Sequence, residues 1–267
     1  MQNSIIVITA AVGLCLFASV TMAGPGSWRQ IGAAGSWKGT IAGTMLDGKL
    51  YTIEANGALY VTDVNTGQWR QIGKNDFVAT RFLFSANNML YSIENSGSLY
   101  EISPSNGTWR QIGKAGEWLQ TSFVVVLNNQ LYSIESSGAL YQTNLMTGQW
   151  KQLGKPEFRA TAILMTAGSS LYTIETSGSL YEINPSDGSW KQIGQSGAWA
   201  NTITGIGLNS GAYTIEISGA LYHTNLQSGK WEQLGKPDFS QTRFLFAGKD
   251  RLYTIENSGS LYEVSVF

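Results

Sequence analysis

The pentapeptide Trp69-Arg70-Gln71-Ile72-Gly73 constrains this 267-residue chain more than any other feature, because the chain holds six versions of it. The others begin at Trp28, Trp109, Trp150, Trp190 and Trp231, and each reads Trp, a charged residue, Gln, Ile or Leu, then Gly. The steps between successive Trp residues are 41, 40, 41, 40 and 41. A period that regular marks one supersecondary unit copied in series.

Residues 74–113 show the unit. The run 80–84 (Thr-Arg-Phe-Leu-Phe) is rich in strand formers and is followed by the turn cluster Ala86-Asn87-Asn88. Residues 90–94 read as a second strand, Ser96-Gly97 as a two-residue hairpin turn, and 98–102 as a third strand. Pro104 to Gly107 turns the chain again before a fourth strand over 109–112. Four short antiparallel strands in about 40 residues match one propeller blade. The same template returns through Tyr-Thr/Ser-Ile-Glu at Tyr51, Tyr91, Tyr132, Tyr172, Tyr213 and Tyr253, and through Gly-Ala/Ser-Leu-Tyr beginning at Gly57, Gly97, Gly138, Gly178, Gly219 and Gly259. All 12 tyrosines and all nine tryptophans sit at template positions, so both Tyr series and the Trp of Trp-x-Gln read as packing between blades.

The ends decide closure. The last repeat supplies three strands and stops, while residues 28–31 form a fourth-type strand with no partner before it. Joining the two completes a sixth blade and removes both sheet edges. The expected architecture is an all-β, six-bladed propeller over 24–267. Its repeats lie near 33–73, 74–113, 114–154, 155–194 and 195–235, with 236–267 completed by 24–32.

Residues 1–23 carry no charged side chain and hold an apolar run from Ile5 to Val20, ending in Thr21-Met22-Ala23 before Gly24-Pro25-Gly26. A secretory signal peptide fits this pattern, with an uncleaved membrane anchor as the rival reading. The expectation is therefore a secreted protein with no membrane insertion after cleavage. The only cysteine, Cys15, lies in this segment, which leaves the remainder without thiols or disulfides. Seventeen basic and 18 acidic side chains form no basic stripe, which argues against nucleic acid as a partner.

A longer period of 81 residues pairs the blades. Odd entry loops read Gly35-Ser36-Trp37, Gly116-Glu117-Trp118 and Gly197-Ala198-Trp199; even ones read Asn75-Asp76-Phe77, Pro156-Glu157-Phe158 and Pro237-Asp238-Phe239. Loops on a rigid scaffold are common seats of function. A pyranose needs an aromatic face and a few fixed polar groups. Trp37, Trp118, Trp199, Phe77, Phe158 and Phe239 are candidates for the face, and Asp76, Glu157 and Asp238 for hydroxyl acceptors. On the opposite reading the rings plug the gap between blades and the acids cap turns.

Residues 72–84, followed by Leu90-Tyr91-Ser92-Ile93, resemble the repeat of the tachylectin-2 lectins: Ile-Gly, a Gly-Gly-Trp loop, Phe-Lys-Phe-Leu-Phe, then Leu-Tyr and a β-branched partner. The likeness runs through every repeat and is strongest over 72–84 and 234–246. It implies N-acetylated hexosamine binding near the Gly-x-Trp loop of each blade junction, by a monomeric propeller with several sites that engages surface glycans. The chain departs from that family in having six blades instead of five, shorter repeats, Thr for the first Phe, and Phe for Trp in alternate loops. The fold inference survives these departures; the sugar identity does not. A looser likeness links the chain to tectonin-type propellers, which also bind sugars.

Catalysis needs unlike groups converging on one point. The sole histidine, His223, stands where the equivalent odd repeats have Val61 and Gln142, and reads as a drifted strand residue. Glu54, Glu94, Glu135, Glu175, Glu216 and Glu256 form a ring by symmetry, each expected to accept from a turn or to pair with Arg or Lys of a Trp-x-Gln strand. No phosphate loop, zinc spacing or nucleophile triad is present. A binding protein without cofactor or metal is expected, with a protein-interaction or structural propeller as the alternative to a lectin.

Overall fold

The computed structural model describes residues 24–267, and the expected leader and Cys15 lie outside them. Among the described residues 24 strands form six separate four-stranded antiparallel sheets, the blades of a β-propeller. Blade I runs Thr40–Leu46, Lys49–Glu54, Leu59–Asp63 and Trp69–Ile72. Blades II to V repeat it in order. Blade VI closes the ring: Thr242–Ala247, Arg251–Glu256 and Leu261–Ser265 are completed by Trp28–Ile31, with Trp28 opposite Val264 and Ile31 opposite Leu261. First strands of successive blades pack on one another around the axis, and the Trp-x-Gln strands are outermost.

Local chemistry sets each turn. The first hairpins of blades I to III use Asp47-Gly48, Asn87-Asn88 and Asn128-Asn129, all at positive φ, as a two-residue turn between right-twisted strands requires. The second hairpin differs from expectation. Glu94 N donates to Ser98 O and Gly97 N donates to Glu94 O, so three residues, 95–97, form the loop instead of two. Gly97, at φ +75°, supplies the left-handed residue that lets a three-residue loop rejoin its strand. Each first strand also shifts register after its opening Thr, as between Thr40 and Ala42.

The core is six clusters, one for each junction between blades. Between blades I and II, Ile53, Leu59 and Ile72 meet Leu90 and Ile102 around Phe77. Between VI and I, Ile31, Ile255 and Leu261 meet Leu50 around Trp37. The other four junctions enclose Trp118, Phe158, Trp199 and Phe239 in the same way. Burying one such ring removes roughly 150–250 Å² from water, on the order of 4–6 kcal/mol at about 25 cal/mol per Å². Two junctions carry a further tie: Arg81 donates to the carbonyls of Trp118, Leu119 and Thr121, and Arg243 to those of Trp37, Lys38 and Thr40.

Candidate binding clefts

The fourth strand alternates. In blade I, Ile72 points into the junction and is buried, and Arg70 shares its face; Trp69 and Gln71 take the other side. This outermost strand has little chain beyond it to cover that other side, and Trp69 stays 54% exposed. The remaining five outer-strand tryptophans, Trp28, Trp109, Trp150, Trp190 and Trp231, are 46–53% exposed. Packing between blades, the role expected of them, is therefore wrong for these six. The first Tyr series does pack in the junctions, with Tyr51, Tyr91, Tyr132, Tyr172, Tyr213 and Tyr253 all buried. The second series is half-buried and meets the exposed indoles edge-on. Tyr60 and Trp69 lie 5.1 Å apart at 85°, and the other five pairs lie at 5.0–5.2 Å and 83–88°. Edge contact fixes each indole while leaving its face to solvent.

The entry-loop aromatics have the reverse placement. Trp37, Trp118, Phe77, Phe158 and Phe239 are 3% exposed and Trp199 4%, so all six fill the junctions. Trp37 Nε1 donates to Thr62 Oγ1 and Trp199 Nε1 to Thr224 Oγ1 inside these cores. The even-loop acids sit at the surface and reach the outer-strand indoles. Asp76 accepts from Trp109 Nε1 at 3.3 Å, Glu157 from Trp190 Nε1 at 2.9 Å and Asp238 from Trp28 Nε1 at 3.0 Å. In the odd blades Ser36, Glu117 and Ala198 occupy that position, and among the described residues no side chain accepts from the indoles of Trp69, Trp150 or Trp231.

In blade I the exposed pair opens on a pocket of about 390 Å³ lined by Ser36, Trp37, Gly39, Thr52, Glu54, Ala55, Asn56, Tyr60 and Trp69. Thr52, Glu54, Tyr60 and Trp69 share one face of the blade by strand register, and Trp37 plugs the junction on that side. Glu54 Oε1 accepts from Thr40 Oγ1 at 2.7 Å. Burial raises the Glu54 carboxyl above its ordinary range, opposed by the Thr40 hydrogen bond and by nearby Arg243. The pocket thus joins an indole face, a phenol ring, an acceptor-only carboxylate and an amide.

The glutamate ring is placed otherwise than the repeat suggests. Glu256 accepts from Thr242 Oγ1 as Glu54 does from Thr40, and among the described residues none of the six forms an ion pair. The carboxylates that pair with Trp-x-Gln cations come from the third strands of even blades: Glu101 with Arg110, Glu182 with Lys191, and Glu263 with Arg29. Cross-strand register explains this, since each cation stands directly opposite its acid. His223 stacks on Tyr213 at 4.9 Å and stands 3.6 Å from Glu232, within an ordinary blade face. No group of three or more potential metal ligands clusters among the described residues.

No family model matches the chain, and a search of curated proteins found no match. Solved structures do match. A catalytically inactive variant of virginiamycin B lyase from Staphylococcus aureus, with quinupristin, is 14% identical over 85% of this chain and 80% of its own, at a TM-score of 0.60. YCF48 bound to D1 peptide is 15% identical over 85% of this chain and 78% of its own, at 0.55. A structural-genomics protein of unknown function from Bacteroides thetaiotaomicron is 13% identical over 89% of this chain and 75% of its own, at 0.65. None of these three is a known lectin, and they lend no specific support to the tachylectin-2 resemblance. At such identities the likeness is one of fold, and the fold is that of a six-bladed β-propeller.

Proposed function

We propose that this chain is a non-catalytic binding propeller that takes carbohydrate at its Trp–Tyr clefts. The observation that carries the reading is the half-exposed indole in every blade, held edge-on by a tyrosine and, in blade I, opening on a pocket with Glu54 and Asn56. A soluble protein exposes Trp at a cost, and a repeated, oriented, half-bare indole is suited to the C–H face of a pyranose. The polar groups around it are acceptors and amides, as a ring of hydroxyls demands. Six clefts on one rigid disc gain by avidity on a dense glycan surface even where each is weak. The loop aromatics then act as plugs that hold the clefts in place, and the even-loop acids as orienters of the indoles. Secretion by cleavage after residue 23 completes the reading, since it delivers the disc to extracellular glycans.

A second reading is a protein-interaction propeller, and one observation favours it: the structural neighbours include a propeller described with a bound peptide. Exposed Trp and Tyr are also frequent anchors of protein interfaces. A glycan array probed with the protein lacking residues 1–23 and with its Trp69→Ala variant separates the two. The expected outcome is binding to a defined set of glycans that the variant weakens. A blank array together with retained peptide capture would sink the carbohydrate reading and leave the second.

A further inference from the structure

The sequence repeat makes the six clefts look equivalent, and the structure breaks that equivalence at three positions. The first is the acid beside the indole. In blades II, IV and VI, Asp76, Glu157 and Asp238 bind the indole N–H and occupy the edge of the cleft. The second and third positions are neighbours on the cleft wall, one on the entry loop and one on the middle hairpin, where Ala55 N donates to Gly39 O in blade I. In blade III, Ser136 Oγ donates to Gln120 Oε1 at 3.0 Å; in blade VI, Asn257 Nδ2 donates to Gln241 Oε1 at 3.1 Å. Each pair is a strut along the cleft wall, between residues whose backbones are already hydrogen-bonded. Blade V places Asn201 and the 73% exposed Ile217 there.

Blade I has Ser36, Gly39 and Ala55 at these three positions, so it carries neither latch nor strut. Gly39 also sets the acceptor. A Cβ at position 39 would stand 2.5 Å from Glu54 Oε2, so the carboxylate occupies space that a side chain fills in the other five blades. Glu54 Oε1 is engaged by Thr40, whereas among the described residues Oε2 has no donor. Among the described residues nothing accepts from the Trp69 indole N–H either.

We infer that the blade I cleft is the primary ligand site of the disc, and that it takes one neutral hexopyranose unit stacked on Trp69, donating a hydroxyl to Glu54 Oε2. This inference rests on the carbohydrate reading above. A pocket of about 390 Å³ lies at the small end of the range for small-molecule sites and suits one or two sugar rings. An unpartnered carboxylate oxygen accepts and cannot donate, so a ligand carboxylate beside it meets like-charge repulsion. Acidic sugars are therefore rejected. The remaining clefts serve as weaker secondary sites, ordered by how much of the indole their latches and struts leave open.

The test uses protein labelled with 5-fluorotryptophan, whose nine indoles report individually by fluorine NMR. Glucose, galactose, N-acetylglucosamine, glucuronate and galacturonate are titrated in turn. The Trp69 resonance should move at the lowest concentration of at least one neutral sugar, with the matching uronate at least tenfold weaker. Gly39→Gln, which installs the residue native to blades III and VI, should weaken that titration at least tenfold. Gly39→Ala, the residue of blades II and IV, gives a milder step should the larger side chain disturb folding. Trp150→Phe and Trp231→Phe should leave the Trp69 titration unchanged, and Glu54→Gln should abolish discrimination against uronates. If all six outer indoles move together, or if Trp69 titrates unchanged in both Gly39 variants, the inference falls while the carbohydrate reading stands. If no indole moves with any sugar, both fall.

Discussion

Blade I carries two tryptophans near one end of the same sheet, and they have opposite fates: Trp37 is 3% exposed and Trp69 is 54% exposed. Blade IV repeats the contrast with Phe158 at 3% and Trp190 at 49%. The entry-loop ring drops into the gap between two blades, where apolar side chains from both sheets surround it. The outer-strand ring sits at the rim, on the last strand of its sheet. Residue type is therefore no guide to role in this molecule. Position relative to the junction decides whether an aromatic ring stabilises the disc or faces a ligand.

That contrast breaks most visibly under truncation. Trp118→Ala should cost about 3–5 kcal/mol of stability by leaving a cavity in the junction of blades II and III, whereas Trp150→Ala should cost about 1 kcal/mol, the worth of an edge-on aromatic contact. Denaturant unfolding of the two variants checks this, and similar losses would erase the distinction between plug and platform. Charges obey the same rule of burial. Glu263 is 5% exposed and is bound by both Arg29 and Arg251 across the closing blade, while Glu182 is 24% exposed and is bound by one cation, Lys191, and by the Ser170 hydroxyl. Glu263→Gln should destabilise the protein by about 2–4 kcal/mol and Glu182→Gln by about 1 kcal/mol or less. A reversed order in thermal unfolding would show that ring closure does not depend on this cluster.

A smaller effect appears with pH. Burial raises the Glu54 and Glu256 carboxyls above the ordinary glutamate range, against the hydrogen bonds from Thr40 and Thr242. The folded protein then holds these protons more tightly than the unfolded chain. Their contribution to stability is present in full below the ordinary glutamate range and is lost as pH rises through the raised values. Binding at Trp69 should run the other way, strengthening over the same interval as Glu54 ionises and becomes a stronger, charged acceptor. Parallel unfolding and sugar titrations from acid to neutral pH test both signs, and a flat binding profile would remove Glu54 from the site. The smallest change is Glu157→Ala, expected to alter stability by under about 0.5 kcal/mol while moving the Trp190 indole signal toward that of Trp150. An unmoved signal would mean that the acid does not hold the indole in solution.

Much of the fold was legible in the chain. The 40-to-41-residue steps gave the blade, the unpaired 28–31 segment gave the closure, and paired Asn and Gly residues gave the first hairpins. The clefts were harder to read. The entry-loop aromatics alternate with the 81-residue period, and alternation between Phe and Trp is equally compatible with ligand contact and with two ways of filling one gap. Invariance of the outer-strand Trp in all six copies points to packing on sequence grounds, whereas the structure leaves it half-exposed. A signal was present in Trp-Arg-Gln-Ile itself: with Ile facing the junction, Trp shares the opposite face with Gln, a residue seldom buried. The acids of the even loops are legible as polar candidates, but their partner, an indole 33 residues further on in two of three cases, is fixed only by the tertiary contact.

The sequence alone determined the repeating unit, the blade count and the ring closure, because strand alternation and turn chemistry act over a few residues and the repeat multiplies their signal. Only the tertiary structure decided which aromatic faces water and which cleft is open. Those outcomes depend on contacts between an entry loop, a middle hairpin and an outer strand, where one side chain at position 36, 39 or 55 has room or does not. A repeat shows what the copies share; the space around each copy sets how they differ.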